Sequence, residues 1–244
     1  SHSLKPIHYK ELKGSAQCKS AVMIAALNVE GKTRLKCKPS RNHSEIMFKE
    51  VLKVPIKIKK QKKFDLIEIN GGKNFNSFNY EIPGDISSAS FFIVLTLLSK
   101  KSNLLIKNVN INPTRTGIIS ILNKMGAKIK FYNQKIYKGE KVGNIYVRSI
   151  KKLKSIKLNS SYNSSAIDEF LLIFLVASVA EGVSEFKHLQ ELNKKESKRL
   201  DWGFKILKMI GVKTKKIGSH GIKIWGNPNL QLHDNYKINH FLKD

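Results

Sequence analysis

The 244-residue sequence has only two cysteines, Cys18 and Cys37, without metal-ligand spacing or a partner set for a disulfide framework, and a reduced, cytoplasmic compartment is the plain expectation. Long apolar runs are missing too. The longest, Phe170 to Ala180, is 11 residues between Glu169 and Glu181, against the roughly 20 that a membrane-spanning helix needs. Ser1-His2-Ser3 lacks the charged and apolar regions of a secretory signal. Acidic residues number 18 against 45 basic ones, for a net charge of +27. Arginine is scarce as well: five residues, Arg34, Arg41, Arg115, Arg148 and Arg199, leave the other 40 basic positions to lysine. Arginine supplies most bidentate base contacts, and single-strand binders interleave aromatics with their cations. Here the lysines spread along the whole chain, and the densest run, Lys57 to Lys63, precedes a strand-like segment without stacking aromatics. A nucleic-acid partner is therefore disfavoured, while a basic field attracts small anions. The 41% hydrophobic content is enough for a packed core, and the length suits one large or two small domains.

What is present is a repeat. Three stretches open with a loop of small polar residues, Gly14-Ser15-Ala16-Gln17, Gly84-Asp85-Ile86-Ser87-Ser88 and Ser164-Ser165-Ala166-Ile167-Asp168. Each passes into an apolar helix (Ala21 to Leu27, Ala89 to Leu98, Phe170 to Ala180) and then a short strand (Thr33 to Cys37, Asn103 to Lys107, Val183 to His188). A polar turn with an arginine follows, then a second amphipathic helix with 3.6-residue spacing, ended by Gly126 in the middle copy and Gly211 in the last. Repeat starts lie about 70–80 residues apart, so each unit reads as a βαβαββ module in an α/β fold. Aligning Gly31 with Gly182 superposes Gln17 on Asp168. Arg41, Arg115 and Arg199 fall in the turn before successive second helices, which scatter does not explain, although each also suits a structural role, Arg115 above all.

Several of these positions can do chemistry. A helix that starts Gly-Ser-Ala-Gln offers free amides, a hydroxyl and a carboxamide to an anion, so Ser15 and Gln17 suit a phosphate cradle, although local sequence by itself favours an ordinary N-cap. Asp168 is either a cap or a carboxylate held in a cleft as a proton acceptor. Lys195, Glu196 and Arg199 crowd the last repeat turn, with Lys195 and Arg199 four apart and so on one side of a helical turn. The histidines show no metal or triad pattern, and Gly71-Gly72 lacks the lysine-serine of a phosphate loop.

The motifs Gly14–Ala21 (G-S-A-Q-C-K-S-A), Ser40–Glu45 (S-R-N-H-S-E), Pro83–Ala89 (P-G-D-I-S-S-A), Asn112–Gly117 (N-P-T-R-T-G), Ile167–Phe170 (I-D-E-F) and Lys195–Leu200 (K-E-S-K-R-L), in this order over nearly the whole chain, resemble the 5-enolpyruvylshikimate-3-phosphate (EPSP) synthase family. The resemblance implies an inside-out α/β barrel fold of βαβαββ modules in two lobes, with residues 1–80 in one, 81–244 in the other and a crossover near Tyr80 to Pro83. It implies transfer of the enolpyruvyl group of phosphoenolpyruvate to the 5-hydroxyl of shikimate 3-phosphate, with release of phosphate and no metal or organic cofactor. Glyphosate competes at the family's phosphoenolpyruvate site. Carried over by motif, Ser15, Ala16, Gln17, Ser40 and Arg41 hold shikimate 3-phosphate. Asp168 takes the 5-hydroxyl proton, Glu196 serves proton transfer at the phosphoenolpyruvate methylene, Lys195 touches the ring hydroxyls and Arg199 binds phosphoenolpyruvate. Lys198 and Asn193-Lys194 depart from the family's Asp and Arg-Val. Phe241-Leu242-Lys243-Asp244 resembles the approach to the family's Asp-His-Arg motif. Family contacts beyond both ends of this sequence imply negligible turnover by the chain alone, and exposed repeat edges imply self-association. Rival readings are an enolpyruvyl transferase acting on UDP-N-acetylglucosamine and a basic nucleic-acid-binding module.

Overall fold

The computed structural model describes residues 4–72, 74–194 and 197–231. Expectations placed on Ser1–Ser3, on Lys195 and Glu196 and on Phe241–Asp244 lie outside the described residues. The described residues form two compact units, those of 1–82 with 135–142 and those of 83–134 with 143–244.

The first unit runs β1 (His8–Glu11), α1 (Ala16–Leu27), β2 (Gly31–Cys37), α2 (His43–Ile46, continued by one wide turn over Met47–Val51), β3 (Ile56–Lys60) and β4 (Asp65–Gly71). This is a complete βαβαββ module with sheet order β1-β2-β4-β3, β1 parallel to β2 and the other pairs antiparallel. Strand alternation builds it: Thr33, Leu35 and Cys37 of β2 point inward while Lys32, Arg34 and Lys36 point out. Met23 and Ala26 of α1 pack with Leu35, Cys37, Phe48, Ile67 and Ile69 into one core. The lysine run expected ahead of a strand is itself largely strand, since β3 carries Lys57 and Lys59 opposite Glu68 and Leu66 on the outer face.

In the second unit the order is α3 (Ile86–Leu98), β5 (Asn103–Asn110), α4 (Gly117–Lys124), β6 (Lys130–Tyr137), β7 (Glu140–Arg148), α5 (Phe170–Ser178), β8 (Gly182–Phe186), α6 (Arg199–Met209), β9 (Thr214–Lys216) and β10 (Ile222–Gly226). Residues 135–142, the tip of the β6–β7 hairpin, belong to the first unit. Lys138 and Gly139 there both take positive φ, as a two-residue hairpin turn requires. Sheet orders β5-β7-β6 and β8-β10-β9 repeat β2-β4-β3. The leading strand of each is reduced to isolated parallel bridges, Gly84 to Val109, then Lys154 to Glu181 and Lys157 to Glu185. The repeat thus survives with its first strand worn down.

Two helices start earlier than apolar content suggests, α1 at Ala16 instead of Ala21 and α3 at Ile86 instead of Ala89. Capping explains both, because Ser15 Oγ accepts from Cys18 N–H and Asp85 Oδ2 from Ser88 N–H, closing the first turn over polar residues. The apolar helix α5 is central to its unit, with Phe170 and Phe174 against Phe186 at ring separations of 5.3–6.2 Å. In contrast, α3 leaves Phe91, Phe92 and Leu95 more than half exposed. No described helix is long and apolar enough to cross a membrane.

The last strand of a module closes under the end of its first helix. A Cβ on Gly71 would lie 1.8 Å from the Ala26 carbonyl oxygen, and one on Gly226 would lie 2.0 Å from that of Ala180. Since backbone cannot yield as a flexible side chain can, Gly71→Ala and Gly226→Ala are each expected to cost about 1–3 kcal/mol, read as a lower urea midpoint at unchanged m-value. An unchanged midpoint refutes the close-approach account. Asp85 supplies a pH test. Burial pushes its carboxyl up, but the Ser88 and Ser87 amides, the Ser88 hydroxyl and the Arg115 guanidinium outweigh this and hold it below the usual aspartate value. The stabilisation is fully present above the ordinary value of about 3.9 and is lost as pH falls through the lower folded value. The stability advantage of the parent over Asp85→Asn should therefore shrink between about pH 5 and about pH 2 in urea titrations, and a gap independent of pH contradicts the assignment.

Candidate functional site

In the first unit the approach to α1 is braced from below. Glu11, at the end of β1 and 2% exposed, accepts the amides of Lys13 at 2.7 Å and Gly14 at 2.8 Å. Gly14 has φ of +77° and turns the chain into Ser15, whose extended backbone (φ −82°, ψ 113°) and side chain cap the helix. Capping and anion binding are compatible here, because the first helical amides have no intrahelical acceptor. No acidic residue stands in this first turn, and the side chain of Gln17, its second residue, is exposed.

Lys19, in the same turn, is 1% exposed. Its Nζ donates to Glu45 Oε1 at 2.6 Å and to the Arg41 carbonyl at 2.7 Å. A second tie, 2.5 Å between the hydroxyls of Ser20 and Ser44, runs alongside. The Ser15–Gln17 and Ser40–Arg41 motifs, 25 positions apart in sequence, are thereby linked through one buried ammonium. Ser40 Oγ and Glu45 Oε2 are buried without a hydrogen-bond partner among the described residues.

The second unit gathers its charges around Asp168, which lies in the turn two residues ahead of α5. Gln17 and Asp168, superposed by sequence spacing, thus differ in setting: one is helical and the other precedes its helix. Arg199 Nη1 donates to Asp168 Oδ1 at 2.9 Å, and Arg115 Nη1 lies 3.6 Å from Oδ2. Arg115 also reaches Asp85 Oδ1 at 3.2 Å and Ser87 Oγ at 2.5 Å, with Glu169 Oε1 3.9 Å away. Glu169, 3% exposed, in turn accepts from the Ser87 hydroxyl. Arg199 is the first residue of α6 instead of part of the turn before it. That helix start is held by Asn193, whose Oδ1 accepts from Leu200 and Asp201 N–H at 2.9 and 3.3 Å. The arrangement offers a carboxylate able to take a proton, flanked by two guanidiniums able to draw an anion.

In the second unit Asp168 and Arg199 meet directly; in the first, Lys19 ties the helix that begins at Ser15, Ala16 and Gln17 to the turn of Ser40 and Arg41. Lys195 and Glu196 lie outside the described residues. A groove of about 430 Å³ on the outer sheet face of the first unit, bordered by Lys10, Arg34, Lys36, Lys57 and Lys59 around Glu68, includes none of them. Sequence reasoning passed over Glu11, Lys19, Glu45 and the reach of Arg115. One signal was available: Lys19, Met23 and Ala26 fall on the same buried helical face, and a lysine in an apolar stripe must be paired.

The EPSP synthase (3-phosphoshikimate 1-carboxyvinyltransferase) family profile matches residues 1–234. The 3-phosphoshikimate 1-carboxyvinyltransferase of Petrotoga mobilis is 38% identical, over 96% of this chain and 55% of its own length. That of Ruthia magnifica is 39% identical, over 92% and 50%. A 2.37 Å structure of EPSP synthase from Acinetobacter baumannii matches with a TM-score of 0.80 at 35% identity, covering 92% of this chain and 49% of its own. The enolpyruvyl transferase NikO from Streptomyces tendae, at 13% identity and a TM-score of 0.62, shares the fold. The chain spans about half the length of the curated relatives it matches. With the repeated βαβαββ module, the polar helix starts and the paired Asp168 and Arg199 in place, the chain belongs to the EPSP synthase family.

Proposed function

We propose that this chain carries part of the machinery of a cytoplasmic 3-phosphoshikimate 1-carboxyvinyltransferase. Such an enzyme moves the enolpyruvyl group of phosphoenolpyruvate onto the 5-hydroxyl of shikimate 3-phosphate. The observation that supports the reading is the bond from Lys19 Nζ to the Arg41 carbonyl, which ties the helix that begins at Ser15–Gln17 to the Ser40–Arg41 turn; free helix-start amides, hydroxyls and an arginine are the groups that a phosphate monoester calls for. In the second unit Asp168 takes the 5-hydroxyl proton as that oxygen attacks C2 of phosphoenolpyruvate, and Glu196 delivers a proton to the methylene carbon. The tetrahedral adduct then loses a methyl proton and expels inorganic phosphate. Arg199 draws the charge of phosphoenolpyruvate and Lys195 holds the shikimate ring. The reaction asks for one base, one acid and several cations to gather two anions, and this assignment supplies all of them from side chains. The family match favours the shikimate branch over a UDP-sugar substrate, and neither the family match nor the site geometry supports a nucleic-acid role.

Cys18 follows Gln17 and is exposed, whereas Cys37 is buried. Burial, opposed in part by the charge of Lys19, pushes the Cys37 thiol up to about 11. Iodoacetamide should therefore alkylate Cys18 in the folded chain and spare Cys37. Shikimate 3-phosphate is expected to slow Cys18 alkylation saturably, and UDP-N-acetylglucosamine is not. In calorimetry Gln17→Ala and Arg41→Ala should each weaken shikimate 3-phosphate about ten- to a hundredfold, as expected for a charged hydrogen bond of about 1.5–3 kcal/mol. Protection by the UDP-sugar alone, or affinities untouched by both substitutions, overturns the proposal.

A further inference from the structure

In all three modules a charged contact ties the start of the first helix to the turn or helix start that begins the second, but its polarity differs. In the second and third modules the acid stands at the first helix and the arginine at the second: Asp85 with Arg115 at 3.2 Å, and Asp168 with Arg199 at 2.9 Å. The first module is reversed. The cation, Lys19, sits on the helix, and the acceptors, the Arg41 carbonyl and Glu45, belong to the turn and to α2. The first turn of α1 itself therefore holds no acid, although Glu11 braces the two amides ahead of it, and an anionic ligand can meet the free amides of that turn.

The pair is also costly in a way that stability does not explain. Both side chains are more than nine-tenths buried, and Glu45 Oε2 has no partner among the described residues. An apolar pair of similar volume is commonly as stable as a buried ion pair, or more so. Lys19 cannot itself reach a ligand at 1% exposure. What the pair does is fix the carbonyl of Arg41 against the first turn of α1, next to a Ser40 hydroxyl buried without a partner among the described residues.

We propose that Lys19 and Glu45 are a positioning pair, which holds the Ser40–Arg41 turn against the amides of Ala16 and Gln17 so that both grip one phosphate group. The proposal rests on the functional reading above, and its test separates the two. The double variant Lys19→Met/Glu45→Leu removes the ion pair without stranding a buried charge, and Lys19→Arg retains donors on the helix. Both are measured in the full 244-residue chain by amide hydrogen exchange without ligand and by calorimetric titration with shikimate 3-phosphate. The double variant is expected to keep its thermal midpoint and the exchange protection of β2 and β4. It should lose protection of the amides from Arg41 to Ser44, and bind shikimate 3-phosphate at least tenfold more weakly, with Lys19→Arg recovering part of both. Protection of that turn equal to the parent's, or parental affinity in a double variant whose turn has loosened, overturns the positioning role. A parent that binds no shikimate 3-phosphate while the double variant loosens the turn supports the clamp and overturns the substrate assignment instead.

Discussion

One contact recurs through the molecule: a charge at the start of each module's first helix meets the chain where the second helix begins. Lys19 with the Arg41 carbonyl, Asp85 with Arg115, and Asp168 with Arg199 are three versions of it, at 2.7, 3.2 and 2.9 Å. The sheets bring the two helix starts of a module to the same end, where unpaired amides and oriented peptide dipoles collect. A module that brings two positive ends to one side must balance them with acids or leave them for an anion. The second and third modules hold an aspartate at the first helix, whereas the first module holds Glu45 in the first turn of α2 and Glu11 ahead of α1, and no acid in the first turn of α1.

This gives the three repeat arginines a physical reason. Arg115, the one most easily read as structural, faces Asp85, Ser87, Asp168 and Glu169 with its guanidinium from a single planar fork. It joins the start of α3 to the turn ahead of α5, so two modules share one charge cluster. Asp168 is set by packing against Arg115 and Arg199, which fixes its carboxylate more firmly than a lone exposed turn residue would be.

The closing glycines belong to the same economy of space. Gly71 and Gly226 let the last strand pass directly under the carbonyls that end the first helix, with Gly72 and Asn227 donating to Leu27 and Ser178. The helix ends are satisfied by the module's own sheet, so helix and sheet are fixed to each other at one end by backbone bonds and at the other by charge.

Local chemistry determined much of this without tertiary information. Apolar spacing placed the helices, strand alternation gave β2 its two faces, and the order of small polar loops showed the repeat and the family it resembles. The Ser15 cap and the charges of Asp168 and Arg199 were legible because they sit at or beside helix starts, which neighbours in sequence reveal. Lys19 and Glu45 were not, because a lysine among 40 looks like surface until the fold removes it from water. The partners of Arg115 were hidden for a related reason: they lie 28 to 54 positions away, and only the closing of the modules decides which distant charges meet.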